Sequence, residues 1–385
     1  MKFNNQIILA IFTVLFLGCK EKPLLELNNS VEDISFIRND STLISSFTVS
    51  FSETGFEQEI VKSIMFVPNF SFTTKWESGT LIIEPQEVLE ELTQYKLCIG
   101  DDSVLHRKVF NFLTGPYSYL TTDVIIKPSY WIKTYRLEPD SLISVYYPGI
   151  GWQSNCVTSS QFAIFSYEDY IRTGNENSKK LFFRQVREFC STYHVFKGTV
   201  AYPYQFAYVG FPAGWYSGLA QGQVLSVLVR AFVLTNDENY LNLALKIADF
   251  MFISVDEGGV FQSTPEGYEW IEEYPTTPPS YVWNGFVFAV MGLIDLHKVC
   301  PSEKLSKHIA QCIMAIKNTI DIYDTGSQLH YGRGSWDGLC DLRYKGIQTH
   351  QCKHLYYATK DPFFYNIYVK WFQYFDYNAF ISIYN

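Results

Sequence analysis

The sequence predicts a multidomain β + α fold: an N-terminal β-sandwich followed by an α/α toroid, that is, a partial α/α barrel. Three observations carry this. Short alternating apolar runs broken by turn residues fill the stretch from about Val31 to Gly115. From residue 151 onward the apolar period becomes that of helices. At 385 residues the chain also has room for two domains with real cores.

Residues 1–19 read as an address. Lys2 precedes an apolar run through Ile7, Ile8, Leu9, Ile11, Phe12, Val14, Leu15, Phe16 and Leu17, which is too short to span a bilayer. Its end, Phe16-Leu17-Gly18-Cys19, resembles a bacterial lipobox. The expectation is an exported protein held by lipid on Cys19 at a bacterial cell envelope, on the outer membrane or cell surface; a simple cleaved signal or anchor is the alternative. No other stretch approaches about 18 uninterrupted apolar residues, so the remainder is expected to be soluble.

Residues 24–115 form the sandwich. Strands are predicted at Ser46–Phe51, Ile64–Val67, Thr80–Ile83, Tyr95–Ile99 and Val109–Phe112, with turns at Glu53-Thr54-Gly55, Pro68-Asn69, Glu77-Ser78-Gly79 and Gly100-Asp101-Asp102. The run from Thr80 to Pro85 with Leu92-Thr93-Gln94-Tyr95 resembles bacterial Ig-like modules. No chemical constellation stands here, so the region reads as a spacer or binding module. A connector, 116–150, carries Tyr130-Trp131 and Tyr146-Tyr147-Pro148, aromatics costly to leave in water.

Residues 151–385 carry eight predicted helices: Val157–Arg172, Ser178–His194, Leu219–Leu234, Glu238–Ile253, Trp283–Val299, Glu303–Tyr323, Thr349–Ala358 and Phe363–Ala379. Leu225, Leu228, Val229 and Phe232 share one helix face, and Thr235-Asn236-Asp237 stops one helix and caps the next. Consecutive antiparallel pairs imply the toroid and put the long loops at one mouth.

Composition narrows the function. With 30 basic against 39 acidic residues the net charge is −9, which argues against nucleic acid as a partner. Aromatic residues make up 17% of the chain, which core packing explains more simply than sugar stacking. Excluding Cys19, seven cysteines remain at spacings that match no zinc pattern, and most read as small buried hydrophobes.

Three loops are dense in polar and aromatic groups: Phe211 to Gln223, Trp270 to Phe286, and Tyr323 to Arg333 continuing to Asp341-Leu342-Arg343-Tyr344-Lys345 and Thr349-His350. Each has a structural explanation when taken alone. Gly222 would permit close helix packing, and Pro275 and Pro278 would form turns.

The same residues carry a resemblance. Gly214 to Gln223, Val229-Arg230-Ala231, Leu234-Thr235, Glu272 to Pro278, Asn284-Gly285-Phe286, Gly292-Leu293 and Tyr323-Asp324-Thr325-Gly326-Ser327 are similar, in order, to the C-terminal domain of the D-glucuronyl C5-epimerases, dense from about Gly198 to Trp371. That family acts on heparan sulfate and heparosan, its helical domain is an α/α barrel, and it tends to dimerise. The resemblance therefore implies an isomerase, an acidic polysaccharide as substrate and homodimerisation; no cofactor or metal is expected. Some animal members bind calcium in their N-terminal parts, and no equivalent is found here.

C5 epimerisation removes the proton beside a uronate carboxylate and returns one to the opposite face. It needs two proton carriers and a cationic clamp for the enolate-like charge. By the resemblance, Glu273 and Tyr274 match an active-site Glu-Tyr pair and Tyr331 a second active-site Tyr, with Tyr344 a further catalytic candidate. Arg333 is the clamp, and Trp215, Tyr216, Gln221, Asn284 and His350 complete the substrate-binding set. Arg333 stands two residues after Tyr331, where the family has three, and Tyr344 lies two residues too far from Thr349-His350. The Ig-like module also occupies most of the length in which the family has other β domains, whose tyrosines Tyr130, Tyr146 or Tyr147 would have to replace. Two other functions share these features. A uronate lyase starts with the same proton abstraction, and a non-catalytic carbohydrate-binding lipoprotein would use Trp215, Tyr216, Trp270 and Tyr274 as stacking surfaces.

Overall fold

The computed structural model describes residues 31–38, 44–51, 57–86, 89, 94–100, 108–113 and 134–384. The expectations for residues 1–19, Tyr130 and Trp131 lie outside them.

The N-terminal part contains β1 (Val31–Arg38), β2 (Ile44–Phe51), α1 (Glu57–Ser63), β3 (Met65–Val67), β4 (Phe72–Glu77), β5 (Thr80–Pro85), β6 (Gln94–Ile99) and β7 (Lys108–Leu113). They pair as an antiparallel sheet β1-β2-β5-β4 and a second antiparallel sheet β3-β6-β7. Alternation puts Phe47, Val49, Phe51, Leu81 and Ile83 of the first sheet into one core with Phe66, Tyr95, Leu97 and Ile99 of the second. The Phe47 and Phe66 rings meet across it at 5.2 Å. The two-sheet body is thus present, while its Ig-like kinship rests on the sequence alone. Strands β1 and β4 and helix α1 were not anticipated. Ser78 and Gly79, both at positive φ, make the two-residue turn that pairs β4 with β5.

The C-terminal part is built from four helical hairpins: α2 (Cys156–Thr173) with α3 (Glu176–Thr192), α4 (Gly218–Thr235) with α5 (Glu238–Met251), α6 (Trp283–Val299) with α7 (Glu303–Thr319), and α8 (Leu342–Thr359) with α9 (Pro362–Phe372). The first helix of each hairpin packs on the first helix of the next, so α2, α4, α6 and α8 form an inner row and their partners an outer one. This is the α/α arrangement the periodicity predicts. The rows differ as their positions require. Nearly all of α4 and α6 is buried, whereas α5 buries one stripe, Leu241, Ala244, Ile247, Ala248, Phe250 and Met251. By length and composition α4 could cross a membrane, but here it is a core helix.

Inner helices α4 and α6 touch backbone to backbone. A Cβ on Gly222 would lie 2.5 Å from Ala289 Cα, and one on Gly292 would lie 2.2 Å from Gly222 O. Gly222 therefore serves packing, as its simpler reading held. Further along the same interface Arg230 Nη1 donates to Asp295 Oδ2 at 2.8 Å, and Ser226 Oγ donates to the same oxygen at 3.0 Å.

Three helix boundaries differ from expectation. Glu303 begins a helix that ends at Thr319, with a 3-10 turn at Ile320–Ile322. Helix α8 begins at Leu342 rather than Thr349, because Asp341 caps it by accepting the Tyr344 N–H at 2.9 Å. The segment Phe363–Ala379 is two helices, α9 and α10 (Tyr377–Ser382), the second capped by Asp376 accepting from Ala379 N–H at 3.1 Å. Short hairpins fill the loops: β8 (Ser144–Tyr147) with β9 (Gly151–Ser154), β10 (His194–Phe196) with β11 (Thr199–Ala201), β12 (Pro203–Tyr204) with β13 (Trp215–Tyr216), and β14 (Phe261–Ser263) with β15 (Glu269–Ile271). The seven described cysteines are unpaired; Cys98, Cys156, Cys312, Cys340 and Cys352 are buried.

Candidate active site

The three dense loops converge at the N-terminal ends of inner helices. The Gly218 N–H that opens α4 donates to Glu272 O at 2.8 Å, and the Trp283 N–H that opens α6 donates to Tyr331 O at 3.1 Å. Tyr344 sits in the first turn of α8. These ties gather Glu273, Tyr274, Tyr331 and Tyr344 into one cluster.

Glu273 is 5% exposed and its carboxyl lies against the first turn of α6. A Cβ on Gly285 would stand 2.3 Å from Glu273 Oε2, so only glycine admits the carboxyl there. That oxygen has no hydrogen-bond partner. Burial raises the carboxyl pKa to about 8; hydrogen bonding from Tyr274 pulls it back, the Glu272 charge pushes it up, and hydrogen bonding from Tyr331 pulls it back again. At neutral pH Glu273 is thus mostly protonated, and it ionises within reach of physiological conditions.

The three phenols share that environment. Tyr331 and Tyr344 pack edge to face at 4.7 Å. Burial, then the Glu273 charge, raises Tyr344 to about 12 and pushes Tyr331 and Tyr274 well above the ordinary phenol range. All three are proton donors. The Tyr274 ring lies flat on Trp336, 4.4 Å away and 3° from parallel, with Trp215 on a further stacked contact at 5.9 Å. Trp215 itself stacks on Tyr204 at 4.3 Å and Phe211 at 5.1 Å. It is a buried member of an aromatic column rather than an open platform, and Trp270 is wholly buried.

Glu272, the neighbouring residue, points the other way and is fully engaged. It accepts from Gln262 Nε2, from Ser280 Oγ and from the Tyr281 N–H at 3.1 Å. Burial raises it too, to about 7.

The remaining sequence-selected residues are distributed differently. Asn284 is buried beside Gly285 with Oδ1 unpartnered. The Arg333 fork is filled from within the protein: Nη1 and Nη2 donate to Glu266 Oε1 and Oε2 at 3.0 and 2.9 Å, and the guanidinium lies 4.6 Å over the Tyr281 ring. This pairing holds Glu266 down to about 2. An open carboxylate clamp was expected, and the structure shows an occupied one. Tyr216 shares a 2.8 Å hydrogen bond with His194 Nδ1, and the Gln221 amide is spent on Tyr202 N–H, Tyr202 O and Ser217 O. His350 shares a 2.8 Å contact between Nδ1 and Gly346 O, inside a nest of Tyr368, Phe372, Phe375, Tyr377 and Phe380. These three bind the fold and are not brought to the cluster. Of the connector tyrosines, Tyr146 is 57% exposed, while Tyr147 packs on Phe206 at 4.7 Å and Tyr208 at 5.2 Å, beside the aromatic column.

Residues 192–373 match the family described as D-glucuronyl C5-epimerase C-terminus. The match spans β10 to the end of α9, with all four clustered residues inside it. A D-glucuronyl C5-epimerase of Caenorhabditis elegans is 33% identical over 167 residues, covering 39% of this chain and 27% of that protein. An uncharacterised protein of Methanocaldococcus jannaschii is 28% identical over 176 residues, 44% of this chain and 56% of that one. The chain thus spans roughly a quarter to a half of the length of these relatives. Among solved structures, a cellobiose 2-epimerase from Bacillus thermoamylovorans aligns at TM-score 0.46 and 15% identity, covering 63% of this chain and 67% of that one. A family 76 glycoside hydrolase from a bovine Bacteroides thetaiotaomicron strain aligns at 0.45 and 14%, covering 90% and 77%.

Sequence reasoning missed Trp336 and Glu266. Trp336 lies in the same loop as Tyr331 and Arg333, and its signal was available as a lone Trp amid glycines, Gly332, Gly334 and Gly338. Glu266 had none, since only the fold brings it to Arg333.

Proposed function

We propose that the protein is a polysaccharide uronyl C5-epimerase, converting D-glucuronate to L-iduronate residues in a heparosan- or heparan sulfate-like polymer. The observation that carries this reading is the buried Glu273 carboxyl, pressed on Gly285 with one oxygen unpartnered and with Tyr274, Tyr331 and Tyr344 around it. It lies within the segment that matches the epimerase family.

In this reading ionised Glu273 takes the C5 proton: the C5–H bond breaks, an O–H bond forms on the carboxyl, and the electron pair delocalises into the substrate carboxylate. A tyrosine phenol, Tyr274 or Tyr331, gives its proton to C5 from the other face. The carboxylic acid then reprotonates the phenolate within the same cluster, which restores both the base and the donor. Proton carriers with high affinity suit this step, because a carbon acid beside a carboxylate parts with its proton only to a strong, desolvated base. The Trp336–Tyr274 stack provides an aromatic wall for the ring. The polymer would be met at a cell envelope, with lipid on Cys19 as the anchor.

The test is incubation with heparosan and other uronic polymers in deuterium oxide, following H5 by NMR and unsaturated ends by ultraviolet absorbance. Exchange at C5 with formation of iduronate is the expected result. Unsaturated ends would replace the reading by a lyase, and silence with retained binding would replace it by a recognition protein.

A further inference from the structure

A cavity of about 280 Å³ opens between the 138–154 segment, the start of α2, α3 and the β11–β12 region, with Phe206 of its wall packed on Tyr204 at 5.6 Å. It is lined by Asp140, Gln153, Ser154, Glu188, Gln205 and Phe206 among others, and by none of the four clustered residues. Its size is just below the range, from about 300 Å³, in which small-molecule pockets fall.

Its chemistry is distinctive. Glu188 is 7% exposed, yet among the described residues its ion contact is Arg187 Nε at 3.8 Å, outside hydrogen-bond distance. A buried carboxylate held so loosely favours a ligand that brings donors to it. Asp140 at the rim is 3.6 Å from the same guanidinium. Two carboxylates against one arginine leave the site net negative, which disfavours a carboxylate or sulfate group. The amides of Gln153 and Gln205 and the Ser154 hydroxyl offer both donors and acceptors. Leu142, Pro203 and Phe206 supply an apolar wall. Oxygen acceptors opposite a hydrocarbon wall match a ring with hydroxyl donors on its edge and C–H groups on its face.

We propose that this cavity is a binding site for an uncharged sugar ring, separate from the Glu273 cluster. It stands whether or not the uronyl reading does. In an alternating uronic polymer it would take the neutral unit.

The probes are N-acetylglucosamine and glucuronate, titrated separately into the full chain and followed by saturation-transfer NMR. Expected is saturable binding of N-acetylglucosamine, at least tenfold weaker binding of glucuronate, at least a tenfold loss in Glu188→Ala, and no change in Glu273→Gln. Gln153→Ala, on a surface hairpin, gives a second reading if Glu188→Ala does not fold, and it too must weaken binding. The proposal is overturned if the wild type does not bind the neutral sugar or if glucuronate binds equally well. Loss in Glu273→Gln with retention in Glu188→Ala or Gln153→Ala would also overturn it, because the ligand would then sit in the epimerase cluster.

Discussion

Two walls meet along the segment 272–274, and they treat the same side chain in opposite ways. On one wall Glu272 is buried with three donors satisfying both its oxygens; on the other Glu273 is equally buried with Oε2 left bare. Glu272 knits the loop, since Ser280 Oγ also donates to Tyr274 O at 2.9 Å and so fixes the residue after the bare carboxyl. Desolvation without compensation costs stability, and a fold retains it where the group has chemistry to do. The satisfied wall holds the unsatisfied one in position.

That contrast can be broken in order of effect. Glu273→Gln keeps the shape and removes the ionisable proton, so C5 exchange should fall by about a thousandfold or more with an unchanged circular dichroism spectrum; full activity would remove Glu273 from the mechanism. Glu272→Ala strands the donors of Ser280, Tyr281 and Gln262 and should cost about 3 kcal/mol in urea titration. Glu273→Gln should by the same measure be no less stable than the wild type, and at neutral pH more stable, since it removes an ionisable carboxyl from a buried place.

Acidity sharpens the comparison. The folded pKa of Glu273, about 8, lies above its unfolded value, so the unfolded chain releases this proton first as pH rises. Wild-type stability should therefore fall relative to Glu273→Gln from about pH 4.5 to pH 8 and then level off, as melting temperatures of the two proteins across that range would show. Exchange activity should rise through the same pH 8 region if the ionised form is the base. The smallest effect is on the aromatic wall. Trp336→Ala removes the stack on Tyr274 and should raise KM about three- to tenfold while leaving kcat within a factor of a few.

The helices and their antiparallel pairing were legible in the apolar period, but the row each occupies was not: Leu225, Leu228, Val229 and Phe232 read as one apolar face of α4, a helix buried nearly all round because it lies in the inner row. Helix α6 was read to the residue, from Trp283 to Val299. Boundaries set by a single cap were not: Asp341 starts α8 seven residues before its apolar pattern becomes recognisable. This shift matters for the site. Tyr344 looked displaced by its distance from Thr349-His350, yet in the first turn of α8 it reaches Tyr331 all the same. Motif order already set Glu273, Tyr274 and Tyr331 side by side as candidates, and the fold gathers them, whereas the pairing of Arg333 with Glu266 could not be seen in the sequence. A charge's partner is a three-dimensional fact, and Glu266 stands 67 residues away in the chain. The residues that bind the fold, Gln221 and His350, look in sequence like the residues that bind a ligand.

Stacking of Trp336 on Tyr274 also gives the cluster its own optical reporter. Trp270, Trp283 and Trp371 are wholly buried and contribute a steady emission background, while Trp336 is only partly covered and borders the proton-carrying groups. A sugar ring settling against that indole would change its emission, and since Trp152 is also exposed, occupancy of the cluster is the part of the change that Trp336→Phe removes.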